Sequence, residues 1–97
     1  MENIDVYSSR MNLTKDDKIA LHRMFSPYKI PLGFTDEEIR LLIKLDSLRD
    51  ELREHNLGYF LITLNDMGLS KNLDDNSPKT SALKEALYNF MLLWANK

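Results

Sequence analysis

The residue types that this chain lacks already exclude several kinds of site. It contains no cysteine, so disulfides, thiolate zinc sites, iron–sulfur clusters and cysteine nucleophiles are all excluded. Its two histidines and three glycines form no metalloprotease, phosphate-loop or nucleophile-elbow pattern. We therefore expect no catalytic residue, no metal site and no cofactor, and a protein that is not an enzyme.

Long apolar runs and an excess of one charge are also missing. No apolar stretch approaches the roughly 20 residues that a membrane-spanning helix needs, and residues 1–5 lack the features of a secretion signal. The formal net charge is -2, which gives no general attraction to nucleic acid or to anionic lipid. The sequence predicts a cytoplasmic protein that does not bind membranes, and it argues against nucleic acid as a partner.

The composition is that of one small globular domain. Of the 97 residues, 43% are hydrophobic and 29% are charged, which is typical of folded proteins. Residues 1–13 are polar with scattered apolar positions, so they are predicted to form a short N-terminal arm. Residues 14–97 are predicted to form a single helical domain.

The clearest local signal is a helix start at Thr35. Thr35 and Glu38 have the spacing of a capping box, and Phe34 and Ile39 have that of a hydrophobic staple. Helices are predicted over residues 14–25, 35–55, 57–67 and 78–95. Gly68 is expected to end the third helix, and Ser77 followed by Pro78 to begin the fourth. The predicted fold is all-α, a compact bundle of about four helices with that arm.

Three of these helices carry more apolar residues than one buried stripe requires. Ile39 and Ile43 lie off the stripe formed by Leu41, Leu45, Leu48 and Leu52, while Leu57, Phe60, Leu61, Leu64 and Met67 share one face of the third helix. One interpretation makes the third helix central and covers the others with the arm and the apolar loop 26–34. The other interpretation is a surface for a protein partner. The candidate partner-binding residues are Tyr28, Ile30, Tyr59, Ile62, Tyr88 and Leu92.

The function favoured by these observations is non-enzymatic. We expect a small helical protein–protein interaction module that binds and modulates a protein partner, most often by inhibition, with a homodimer as one option. Such size and character are typical of phage- or plasmid-encoded inhibitors and regulators. The alternative is a small dimeric helix-turn-helix-like transcriptional regulator, since residues 64–71 resemble the turn of that motif. Two carboxylates in the segment that would enter the DNA groove argue against it.

Overall fold

The structure is a computed structural model that describes residues 3–25, 30–70, 73 and 76–95. Throughout that part of the chain the regular secondary structure is α-helical, which confirms the predicted class. The described helices are α1 (Asn3–Met11), α2 (Lys15–Phe25), α3 (Asp36–Ser47), α4 (Arg49–Arg53), α5 (Leu57–Asp66) and α6 (Pro78–Ala95). They exceed the predicted number because the arm region is helical and because one predicted helix is divided in two.

Helix α2 lies at the centre of the fold and packs against α1, α3 and α6. Thr14 begins it as expected: its hydroxyl accepts a hydrogen bond from the Asp17 amide, and the Asp17 carboxylate accepts one from the Thr14 amide. Leu21, Met24 and Phe25 of α2 are buried in the core cluster. The interpretation that made the 57–67 helix central is therefore wrong, because among the described helices it is α2 that packs against three others.

Residues 3–11 of the predicted arm form helix α1, which docks on the core. Ile4, Tyr7 and Met11 recur at helical spacing and are all buried. The Tyr7 hydroxyl donates to the Pro31 carbonyl and accepts a hydrogen bond from the Phe34 amide at 3.2 Å. One buried tyrosine thus joins α1 to the loop that precedes α3.

The capping box at the start of α3 is confirmed. The Thr35 hydroxyl accepts from the Glu38 amide at 3.1 Å, and the Glu38 carboxylate accepts from the Thr35 amide at 2.9 Å. Burial raises the pKa of Glu38, but a hydrogen bond from Lys79 and the bonds within the box outweigh it, so that the pKa lies below its usual value. The Lys79 ammonium lies 2.8 Å from that carboxylate and ties α6 to α3.

The predicted single helix over residues 35–55 is interrupted at Leu48, which has φ of -90° and ψ of 4°. The Ser47 hydroxyl donates to the Lys44 carbonyl at 2.6 Å, a local bond that competes with the regular helical ladder. The predicted stripe is confirmed only in part: Leu45 and Leu52 are buried, whereas Leu41 and Leu48 are partly so. Ile39 and Leu42 beside it are fully buried. Which side chains of this segment are buried therefore depends on where α2 packs, and the predicted leucine stripe alone does not determine it.

One charged side chain is buried beside that face. Asp46 is buried, and one of its carboxylate oxygens accepts a hydrogen bond from the Arg23 guanidinium of α2. Its other oxygen, Oδ1, is buried without a hydrogen-bond partner. Asp46 is buried because α2, which carries Arg23, packs against this side of α3.

Candidate protein-interaction surface

Helix α5 begins and ends at strong local signals. The Asn56 side chain accepts a hydrogen bond from the Tyr59 amide at 2.9 Å and so caps the first turn. At the other end Gly68 is left-handed, with φ of 75°, and the Leu69 amide bonds to the Leu64 carbonyl at 2.9 Å. This is a Schellman ending, and the predicted role of Gly68 is confirmed.

Two side chains of α5, Phe60 and Leu64, are buried. The Phe60 ring stacks on Phe90 of α6, with centroids 5.0 Å apart and planes 1° apart, and its centroid also lies 5.0 Å from that of Trp94. The Trp94 indole N–H donates to the His55 carbonyl just before α5, at 2.7 Å. Helix α5 is therefore attached through Phe60 and Leu64, and it lies at the edge of the fold.

Four large apolar side chains of α5 remain exposed to solvent. They are Leu57, Tyr59, Leu61 and Ile62, and Ile62 is the most exposed, at 62%. At about 100° per residue they span more than half of the helix circumference. No charged residue lies between Leu57 and Asn65. We call these four residues the α5 surface; an apolar face this wide on a peripheral helix is typical of a contact site.

The sequence did not predict the exposure of Leu57 and Leu61. The helical wheel places them on the same face as Phe60, and a neighbouring helix packed along that whole face would have buried all three side chains. In the structure the contact with α6 is made by the Phe60 ring, and it leaves Leu57 and Leu61 exposed. No signal in the sequence reveals this exposure, since a helix that is apolar on all sides is ordinarily buried.

Tyr59 is held in place by its neighbour. The His55 ring stacks on the Tyr59 ring with centroids 4.0 Å apart and planes 20° apart. A side chain that is already ordered loses less conformational entropy when a partner covers it. Tyr59 is therefore a pre-oriented member of the α5 surface.

A second exposed apolar pair lies on α6. Tyr88 is 61% exposed, and Leu92, one turn further on, is also exposed. Both point away from Leu87 and Phe90, which are buried in the core. We call Tyr88 and Leu92 the α6 pair. The structure thus leaves four of the six predicted partner-binding residues accessible, two on α5 and two on α6.

The two remaining candidates lie in the loop before α3. Ile30 is only 4% exposed and belongs to the core cluster, so its assignment as a contact residue is corrected. The loop folds inward because Tyr7 bonds to Pro31 and Phe34, which brings Ile30 against the core. Tyr28 lies outside the described residues.

A metal cluster and a membrane span were sought in the part of the chain that the structure describes. Within the described ranges, no three His, Cys, Asp or Glu residues are grouped so that they could hold a metal ion. Among the described helices, none combines the length and the apolar character needed to cross a bilayer. Comparison with protein-family models, curated proteins and solved structures finds no match for this chain.

Proposed function

We propose that the chain is a small helical interaction module that binds a protein partner and modulates it, with inhibition as the expected mode. The observation that carries this proposal is the α5 surface: four large apolar side chains exposed on a peripheral helix without an intervening charge. Exposed apolar patches of this kind mark interaction sites in small proteins. The proposed activity is therefore binding, without chemistry.

The residue types of both surfaces fit the centre of an interface. Tyrosine is enriched at such centres because it has a large, rigid contact area and a polar end. Exposed charges of both signs lie at the borders of α5, with Arg53 and Glu54 before it and Asp66 at its end. Charges in this position fix the register of a complex and contribute little to affinity.

The mechanism that this geometry favours is occlusion by a helix in a groove. Leu57 and Leu61 are four residues apart, and Tyr59 and Ile62 are three apart, so a partner groove meets anchors at helical spacing. Burial of these side chains provides the free energy of binding, and the bulk of the module then covers the partner's own site.

Site-specific photo-crosslinking tests the proposal. A photoreactive amino acid at position 62 or 88, introduced into the chain in its native cells, should form an adduct with a protein. Ile19, exposed on α2, provides the matched control position and should give none. If neither position 62 nor position 88 gives an adduct above that control, the proposal is wrong.

The same proposal predicts the effect of removing the α6 pair. Tyr88→Ala combined with Leu92→Ala should leave the helical circular dichroism and Tm nearly unchanged, because both side chains are exposed. Partner binding, or self-association, should weaken in a quantitative binding assay. If the double variant unfolds, these residues belong to the core and the assignment fails.

The alternative, a helix-turn-helix-like regulator, has one supporting observation. Gly68 is left-handed immediately after α5, as in the turn of that motif. Of the described residues between Asp66 and Pro78, however, none is helical, where a recognition helix would be required. Fluorescence anisotropy with duplex DNA at increasing salt distinguishes the two proposals, since DNA binding must weaken steeply.

A further inference from the structure

The charges of α5 do not complement its own dipole. Its first turn has no acidic residue and its last turn no basic residue, and it ends at Asp66. A carboxylate at a helix C-terminus faces the negative end of the dipole and is unfavourable there. Helices α2 and α3, in contrast, have acidic first turns and basic last turns.

Asp66 and the first turn of α5 become electrostatically complementary to each other when a second α5 lies antiparallel to the first. Asp66 follows Ile62 by four residues and Gly58 precedes it by four, so each lies about 6 Å along the axis from Ile62. A two-fold axis at Ile62 therefore places each Asp66 beside the first turn of the other helix, at its positive end. Gly58 has no side chain to shield the backbone amides of that turn.

The centre of this arrangement is apolar and free of repulsion. Ile62, the most exposed of the α5 residues, packs against its own copy at the axis. Because no charge lies between Leu57 and Asn65, no like charges meet across the axis. In a parallel pair, by contrast, the two Asp66 carboxylates lie side by side and the dipoles repel.

From the exposed apolar face and this charge pattern, we propose that α5 pairs with the α5 of a second copy in an antiparallel two-fold dimer centred on Ile62. This inference rests on the proposed function, because it names the partner of the α5 surface. A second copy then takes the place of a foreign groove on α5, and the α6 pair is the surface left for the protein that the module modulates. The contact area of one helix pair is below that of standard interfaces. The dimer is therefore weak, with a dissociation constant in the micromolar range or above.

Sedimentation and light scattering over a wide concentration range measure this pairing directly. The wild-type chain should pass from monomer to dimer, and Ile62→Arg should weaken the dimer at least tenfold. Leu32→Arg is the matched control, since Leu32 is 57% exposed in the turn before α3 and is not part of α5, and it should leave dimerisation unchanged. Circular dichroism of each variant confirms that the helices are retained. A strict monomer, or a dimer that tolerates Ile62→Arg, overturns the proposal.

The charge-reversal variant Asp66→Lys distinguishes a role of Asp66 in the dimer from a role in the stability of the monomer alone. In the monomer, Asp66→Lys should raise Tm slightly, because a cation suits the C-terminus of α5. In the dimer it should weaken association severalfold, because the same cation now faces the positive end of the second helix. An unchanged dissociation constant would contradict the antiparallel arrangement.

Cross-linking decides the orientation, and the absence of native cysteine makes it clean. Chains with Gly58→Cys, mixed with chains with Asp66→Cys and treated with a short thiol-reactive cross-linker, should join mainly unlike with unlike. Like-with-like products would show a parallel pair and overturn the proposal. If the chain is monomeric but position 62 still photo-crosslinks to another protein, the dimer is wrong while the proposed interaction function holds. If neither occurs, both fail.

Discussion

The hydroxyl of Tyr7 adds a polar bridge to the apolar contacts that hold α1 on the core, and Tyr7→Phe tests the contribution of that bridge. This change keeps the buried ring but leaves the Phe34 amide and the Pro31 carbonyl without their bridging partner. An unsatisfied buried polar group costs about 1–3 kcal/mol. For a domain of this size the corresponding fall in Tm is roughly 4–24 °C.

Urea unfolding followed by circular dichroism at pH 7 measures the loss. Tyr88→Phe is the matched control, because it removes the hydroxyl of an exposed tyrosine and should change stability by less than about 0.5 kcal/mol. If Tyr7→Phe is as stable as the wild type, the bridge contributes nothing net and the account of α1 docking is wrong.

The same tyrosine predicts a dependence on alkaline pH. Burial raises the pKa of Tyr7 above its ordinary value, although the Phe34 amide and the nearby Arg10 charge oppose the rise. Because the folded-state pKa is the higher one, the stabilisation is complete below the unfolded pKa of about 10. It is lost as the pH rises through the folded-state pKa. The stability difference between wild type and Tyr7→Phe should therefore shrink as the pH rises from about 10 through the folded-state pKa of Tyr7.

Three further substitutions test the end of α5 and the buried Arg23–Asp46 pair by thermal denaturation. Gly68→Ala forces a side chain into a left-handed position with φ of 75° and should lower stability by about 1–2 kcal/mol; an unchanged Tm would refute the Schellman ending. Arg23→Ala removes the cation from the buried Asp46 carboxylate and should cost about 1–3 kcal/mol. Asp46→Leu in that background should recover most of the loss, since it removes the stranded charge; no recovery would contradict this reasoning.

The sequence alone determined most helix ends correctly. The capping box of Thr35 and Glu38, the left-handed Gly68 and the Ser77 cap before Pro78 are all present. Each of these signals acts between residues at most a few positions apart, so the local sequence contains the whole interaction. The exposure of Tyr88 and Leu92 was also predicted from helical spacing. The apolar residues on the opposite face of α6 recur over several turns, so they identify that face as the buried one.

The tertiary structure decided which apolar faces are covered. Residues 3–11 have too few apolar positions for their pattern alone to predict a helix. Their docked conformation depends on the contact of Tyr7 with a loop that is 24 residues away in the sequence. Similarly, α2 covers Asp46, while the narrow contact of Phe60 with α6 leaves Leu61 exposed. Burial depends on where distant elements pack, and that information lies in no single stretch of sequence.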